Sequence, residues 1–115
     1  MNAKEILEET KKVLDKRGWT RKPDVMAQLD EIPNGTWLTS GLPLCLGLAI
    51  RVATPGGDMY HAEHQKAMKL ITDEINPDVK PELCSRTFAI YDWNDADGRT
   101  RADVDKVLDA AIAKA

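Results

Sequence analysis

The sequence predicts a mainly α-helical protein, a compact bundle of about four helices with an irregular excursion or small hairpin near residues 20–41. Three observations carry this expectation. Apolar residues recur at three- and four-residue spacing near both ends and again between His64 and Ile75, the period of a helix with one buried stripe. Capping signatures stand in front of the first and last of these stretches. A chain of 115 residues fits one domain, so residues 1–115 are read as a single globular domain.

The first helix is expected from Ala3 to Arg17. Ile6, Leu7, Thr10, Val13 and Leu14 form its apolar stripe. Asn2 can cap it, with Glu5 at the position where a capping box wants an acid. Gly18 is a natural stop, and Trp19 can fold back on the last turn. Residues 20 to 41 are punctuated by Pro23, Pro33, Asn34-Gly35 and Ser40-Gly41. Asn34-Gly35 is a strong turn signal, and Thr36 to Thr39 has strand-like composition. Val25 to Ile32 fits a partner strand or a short helix.

Leu42 to Ala53 is apolar almost all round and reads as the central buried helix, with Pro43 in its first turn. Gly47 costs about 1 kcal/mol against alanine inside a helix, so a close neighbour is expected there. Thr54-Pro55-Gly56-Gly57 ends this helix. Asp58 can cap a third, running to Ile75, with Tyr60, His64, Ala67, Met68, Ile71 and Ile75 on one face. Asn76-Pro77-Asp78 stops it. Pro81 to Ser85 fits a short helical turn, and the apolar segment Thr87 to Trp93 is left unassigned. The last helix follows Thr100 as N-cap, with Asp103 as the acid of a capping-box variant.

The formal net charge is −3. The one basic cluster, Lys11, Lys12, Lys16, Arg17, Arg21 and Lys22, is interleaved with acids, which argues against direct nucleic-acid binding. Cys45 and Cys84 sit among apolar neighbours outside any Cys-x-x-Cys pair, and both read as buried, reduced thiols. The first residues carry no apolar signal core, and the longest apolar run is too short to span a bilayer. The expectation is a cytoplasmic protein without membrane contact.

No constellation of chemistry stands out. His61 and His64 lie three apart without the third ligand or the spacing of a zinc helix. Cys45 and Cys84 lack the polar, cationic setting of a reactive thiolate. Thr54 to Gly57 lacks the lysine and spacing of a phosphate loop. No catalytic residue, metal ligand or cofactor is assigned. The most distinctive segment is Asp92 to Thr100. It is first read as a turn, with Asn94 and Asp95 capping the backbone, Gly98 at positive φ and Arg99 pairing with an acid. A tryptophan beside Asn, Asp and Arg also fits a recognition surface, so Trp93, Asn94, Asp95 and Arg99 are the candidate binding residues.

Four motifs run along the chain: Gly18-Trp19, Cys45 with the helix from Gly47 to Ile50, Trp93-Asn94-Asp95, and Arg99-Thr100 with Val104. With them the chain resembles a family of small uncharacterised proteins of actinobacteria and their phages. The middle motif departs in spacing, since Cys45 stands two residues before Gly47 and Leu48-Ala49 reverses the usual order. The resemblance implies a domain type and a source and carries no activity. The functional expectation is therefore a small non-enzymatic interaction protein, phage-encoded and acting on a host or phage protein. The alternative is a small enzyme that uses the Asp92–Arg99 loop with a histidine.

Overall fold

A computed structural model describes residues 1–21 and 41–115. The expected excursion or hairpin falls mostly on residues 22–40 and so lies outside the described residues.

Helix α1, Ala3–Arg17, has the predicted limits. The Glu5 amide donates to Asn2 Oδ1 at 2.8 Å, and the Asn2 amide donates back to Glu5 Oε1 at 3.1 Å, which closes a reciprocal capping box. Ile6, Leu7, Thr10 and Leu14 are buried. At the other end Gly18 takes φ 90°, and its N–H returns to the Leu14 carbonyl. A side chain there would be strained, which is why glycine ends the helix.

Beyond Gly18 the chain runs beside residue 44. The Leu44 amide donates to the Gly18 carbonyl and the Thr20 amide to the Leu44 carbonyl, both at 3.0 Å, forming an isolated parallel bridge between Trp19 and Leu44. This bridge corrects the expected start of the second helix. Leu44 is held in extended pairing, so α2 runs only from Leu46 to Ala53, capped by Cys45. Pro43 lies outside it. Five of its eight residues are buried, as its apolar circumference predicted.

A short 3-10 turn at Pro55–Gly57 leads to α3, Ala62–Ile75, where a second boundary shifts. Asp58 does not cap this helix; it accepts from the Tyr60 amide. The N-cap is His61, whose Nδ1 accepts from the Glu63 amide at 3.1 Å. His64, Ala67, Met68 and Ile71 are buried as expected, but Tyr60 precedes the helix and is 73% exposed.

The largest addition is α4, Leu83–Asp95. The short turn expected at Pro81–Ser85 and the unassigned Thr87–Trp93 segment belong to this one helix, so the described residues hold five helices where about four were expected. Helix α5, Arg101–Lys114, begins with the predicted Thr100–Asp103 capping box.

Helix α1 packs against α2, α3 and α5, while α4 packs against α2 and α3. The core between them includes Ile6, Leu14, Leu46, Ile50, Met68, Ile71, Ile90 and Leu108. Gly47 lets α2 and α4 meet: a Cβ on it would stand 2.4 Å from Tyr91 Cε1. Ion pairs fasten α1 to α5 on the outside, Lys11 to Asp109 at 2.5 Å and Asp15 to Arg101 at 2.5 Å. Lys114 pairs with Glu74 and ties α5 to α3. Among the described residues no helix is long and apolar enough to cross a membrane.

Candidate functional site

The candidate binding residues do not form a turn. Trp93, Asn94 and Asp95 are the last residues of α4, and the turn follows at 96–98, with Gly98 at φ 78° as expected. On a helix, successive residues point about 100° apart, so these three side chains face different surroundings.

Asn94 faces inward and is completely buried. Its Oδ1 accepts from the Trp19 indole Nε1–H at 2.6 Å and from the Leu46 amide at 2.9 Å. Its Nδ2 donates to the Thr20 carbonyl at 3.2 Å and to Asp95 Oδ1 at 3.0 Å. Two donated and two accepted bonds use the full capacity of the amide. The expected cap therefore exists, but it acts across the fold: Asn94 satisfies the first amide of α2 from α4. One side chain thereby joins the strand-like stretch after α1, the start of α2 and the end of α4. Three of the four motifs, Gly18-Trp19, the Cys45–Gly47 region and Trp93-Asn94-Asp95, meet here.

The fourth motif packs on the same end. The Arg99 guanidinium lies 4.1 Å from the centroid of the Trp93 ring, and its Nε donates to the Trp93 carbonyl at 2.8 Å. The expected acid partner is replaced by a carbonyl and a ring face, because α4 ends with its carbonyls unpaired and a guanidinium can satisfy one of them. Arg21 reaches the same turn, donating to the Ala96 carbonyl at 3.4 Å and to Asp97 at 3.2 Å. Trp93 is partly buried against the core and keeps part of its surface open.

A different feature occupies the outer side of α4. Phe88 is 65% exposed and stands near Tyr60. Phe88 forms the common wall of two shallow depressions of about 430 and 480 Å³. Met59, Tyr60, Leu83, Cys84 and Thr87 line one, and Ile75, Asn76, Ser85, Ala89, Asp92 and Trp93 line the other. Neither Phe88 nor Tyr60 was singled out from sequence as a surface residue. The signal was present once α4 is known to be continuous, since Cys84, Phe88 and Asp92 fall at four-residue spacing on the side opposite Ile90 and Asn94. Cys84 is exposed, which corrects the expectation that both cysteines are core residues.

The remaining reactive groups serve the interior. Cys45 is buried, accepts from the Leu48 amide at 3.5 Å, and burial pushes its thiol up to about 11. It is a protonated helix cap at neutral pH, not a nucleophile. His64 is buried with Nδ1 2.8 Å from Thr54 Oγ1, and that hydroxyl also lies 2.8 Å from the Ile50 carbonyl. The hydroxyl has one proton, which goes to the carbonyl, so the imidazole donates from Nδ1–H. Burial, assisted by the nearby Arg51, holds the His64 pKa below its ordinary value. The depression beside Asp92 contains neither histidine. No group of three or more His, Cys, Asp or Glu among the described residues is placed to hold a metal ion.

No curated protein and no solved structure matches the chain. A family model does match, over residues 1–114, and it takes in every helix and all four motifs. The chain belongs to that family, described as a family of unknown function, DUF6197.

Proposed function

We propose that this is a small non-enzymatic interaction protein that docks a protein partner on the outer face of α4. The observation that carries the reading is the exposure of Phe88 and Tyr60, 65% and 73%, at one apolar depression. Scattered exposed apolar residues are ordinary, but two aromatics around a shared depression resemble the anchor sites of interfaces. Trp93 lines the neighbouring depression, so it and the Arg99 stacked upon it extend the same face. Asn94 serves the interior, and Asp95 holds its amide. The motif resemblance to small proteins of actinobacteria and their phages supports a phage-encoded chain and a host or phage protein as partner.

Two observations weigh against other classes. The basic cluster is partly spent on contacts within the chain: Lys11 pairs with Asp109, Arg17 donates to the Leu42 carbonyl, and Arg21 holds Asp97. That reduces the basic surface a nucleic acid would need. The alternative of a small enzyme joining the Asp92–Arg99 segment to a histidine has less support, because His61 caps α3 and His64 is committed to Thr54. The test is affinity capture from actinobacterial lysate with the parent, Phe88→Glu and Arg99→Ala proteins at matched thermal stability. A partner retained by the parent and lost with Phe88→Glu supports the reading. Equal capture by all three proteins removes it.

A further inference from the structure

We infer that the α4 face takes a partner segment combining apolar side chains with one lysine or arginine that meets Asp92. The inference rests on the proposed docking role of this face and adds the chemistry of its occupant. Among the described residues, none that lines the depression between Tyr60 and Phe88 is charged. In the depression on the other side of Phe88, Asp92 is the one charged lining residue among those described. Asp92 is exposed, and no hydrogen bond or ion pair holds it among the described residues. Arg99 packs on Trp93, which lines this depression, and its guanidinium is engaged with the Trp93 ring and carbonyl. Lys80 and Arg86 line neither depression.

Position sets the spacing. Cys84, Phe88 and Asp92 lie one helical turn apart, so the apolar depression, the shared aromatic wall and the carboxylate follow one another along about 12 Å of the helix. A partner segment of about eight helical residues, or about four extended ones, covers that length. Its apolar side chains flank the Phe88 ring, and its cation sits at the end towards the C-terminus of α4. An acidic segment would meet an unpaired carboxylate there, and a wholly apolar one would leave Asp92 without a counterion as the surface dries.

The probe is a displayed library of random twelve-residue peptides, selected on the full chain. Synthetic copies of the enriched peptides are then titrated by fluorescence anisotropy against the parent, Phe88→Glu, Asp92→Asn and Asp92→Lys proteins, all at exposed positions. The expected result is enrichment of sequences with a lysine or arginine beside apolar residues. Binding should weaken at least tenfold with Phe88→Glu and at least threefold with Asp92→Asn, and further with Asp92→Lys. Phe88-dependent peptides that are acidic, or indifferent to Asp92, overturn this inference while leaving the docking face standing. Absence of any Phe88-dependent peptide overturns the docking face as well. Sedimentation showing self-association that Phe88→Glu abolishes assigns the face to a second copy of this chain and also overturns the inference.

Discussion

Two buried polar side chains fasten helices to the core, and they do so with different chemistry. Asn94 closes the C-terminal end of α4 with four hydrogen bonds, three of them to two other parts of the chain, the stretch after α1 and the start of α2. His64 sits near the start of α3 and makes a contact with Thr54, itself the cap that ends α2. An amide has no proton to gain across the ordinary pH range, so the three bonds from Asn94 to the Trp19 indole, the Leu46 amide and the Thr20 carbonyl involve no titrating group. The imidazole must stay neutral to remain buried, and burial holds its pKa below the ordinary histidine value. One junction thus centres on a side chain that does not titrate, and the other on one that does.

The largest expected effect breaks the first of these junctions. Asn94→Ala leaves the Leu46 amide, the Trp19 indole N–H and the Thr20 carbonyl without their partner. An unmatched buried group costs about 1–3 kcal/mol and a partly buried one less; with the Leu46 amide buried and the other two partly buried, the loss is on the order of 3–6 kcal/mol by denaturant titration. A change below 1 kcal/mol would show that water replaces the amide freely. Asn94→Asp sharpens the point. It keeps the acceptor for Trp19 and Leu46 but sets a second oxygen against the Thr20 carbonyl and Asp95. That variant should regain stability on mild acidification, as its carboxyl becomes a donor.

Next in size are the apolar contacts of α2. Leu46→Ala and Ile50→Ala should each cost about 2–5 kcal/mol, as large-to-small changes in a core do, and parental melting would place α2 at the periphery. Gly47→Ala forces the Tyr91 ring to move from a 2.4 Å approach. Overpacking of this kind costs about 1–3 kcal/mol, against about 1 kcal/mol gained in helix propensity. In a Tyr91→Ala background the same substitution should become neutral or stabilising. A penalty that persists without the ring would mean that something other than Tyr91 requires the glycine.

These residues also mark how far the sequence could be read. Helices α1 and α5 were legible to the residue at their starts, because Asn2–Glu5 and Thr100–Asp103 are local devices. The glycine at 47 announced a close neighbour, though not which one. The start of α2 was misplaced because the bridge from Trp19 to Leu44 joins residues 25 apart in sequence. Helix α4 was missed as a unit because it has no side-chain cap and little amphipathic contrast: Phe88 faces outward while the polar Asn94 faces inward. The polar residues of the motif Trp93-Asn94-Asp95 suggested a surface turn, whereas Asn94 is buried at the end of a helix. Only the meeting of Trp19, Thr20 and Leu46 around Asn94 reveals an interior role, and that meeting depends on contacts across the whole chain.

The second junction is tested with acid. The His64 pKa is lowered in the folded protein, so the unfolded chain binds the proton more readily. Stability is then fully present above the unfolded value of about 6.5 and falls as the pH drops below it, until the folded histidine also protonates. The slope should not exceed about 1.4 kcal/mol per pH unit for this one group. His64→Gln should be less stable at pH 8 and show a flatter profile between pH 7 and 5. An unchanged profile would move the acid sensitivity elsewhere.

The smallest expected stability effect belongs to the residue that best separates architecture from recognition. Arg99→Ala removes one hydrogen bond to the Trp93 carbonyl and one stacked cation, each worth about 0.5–1.5 kcal/mol at a partly exposed site. Part of that loss is returned by water at the end of α4. The net cost should be about 1 kcal/mol, well below that of Asn94→Ala two bonds' reach away. Arg99→Lys keeps the charge but not the planar stack, and should fall between Arg99→Ala and the parent. Partner capture follows a different logic. If the Trp93–Arg99 pair extends the docking face, Arg99→Ala weakens capture although its melting is nearly parental. If the guanidinium only finishes the helix, capture tracks stability, and a stably folded Arg99→Ala protein retains its partner. That outcome would confine recognition to Phe88 and Tyr60 and leave Trp93 and Arg99 to the same structural task as Asn94, holding the end of α4 in place.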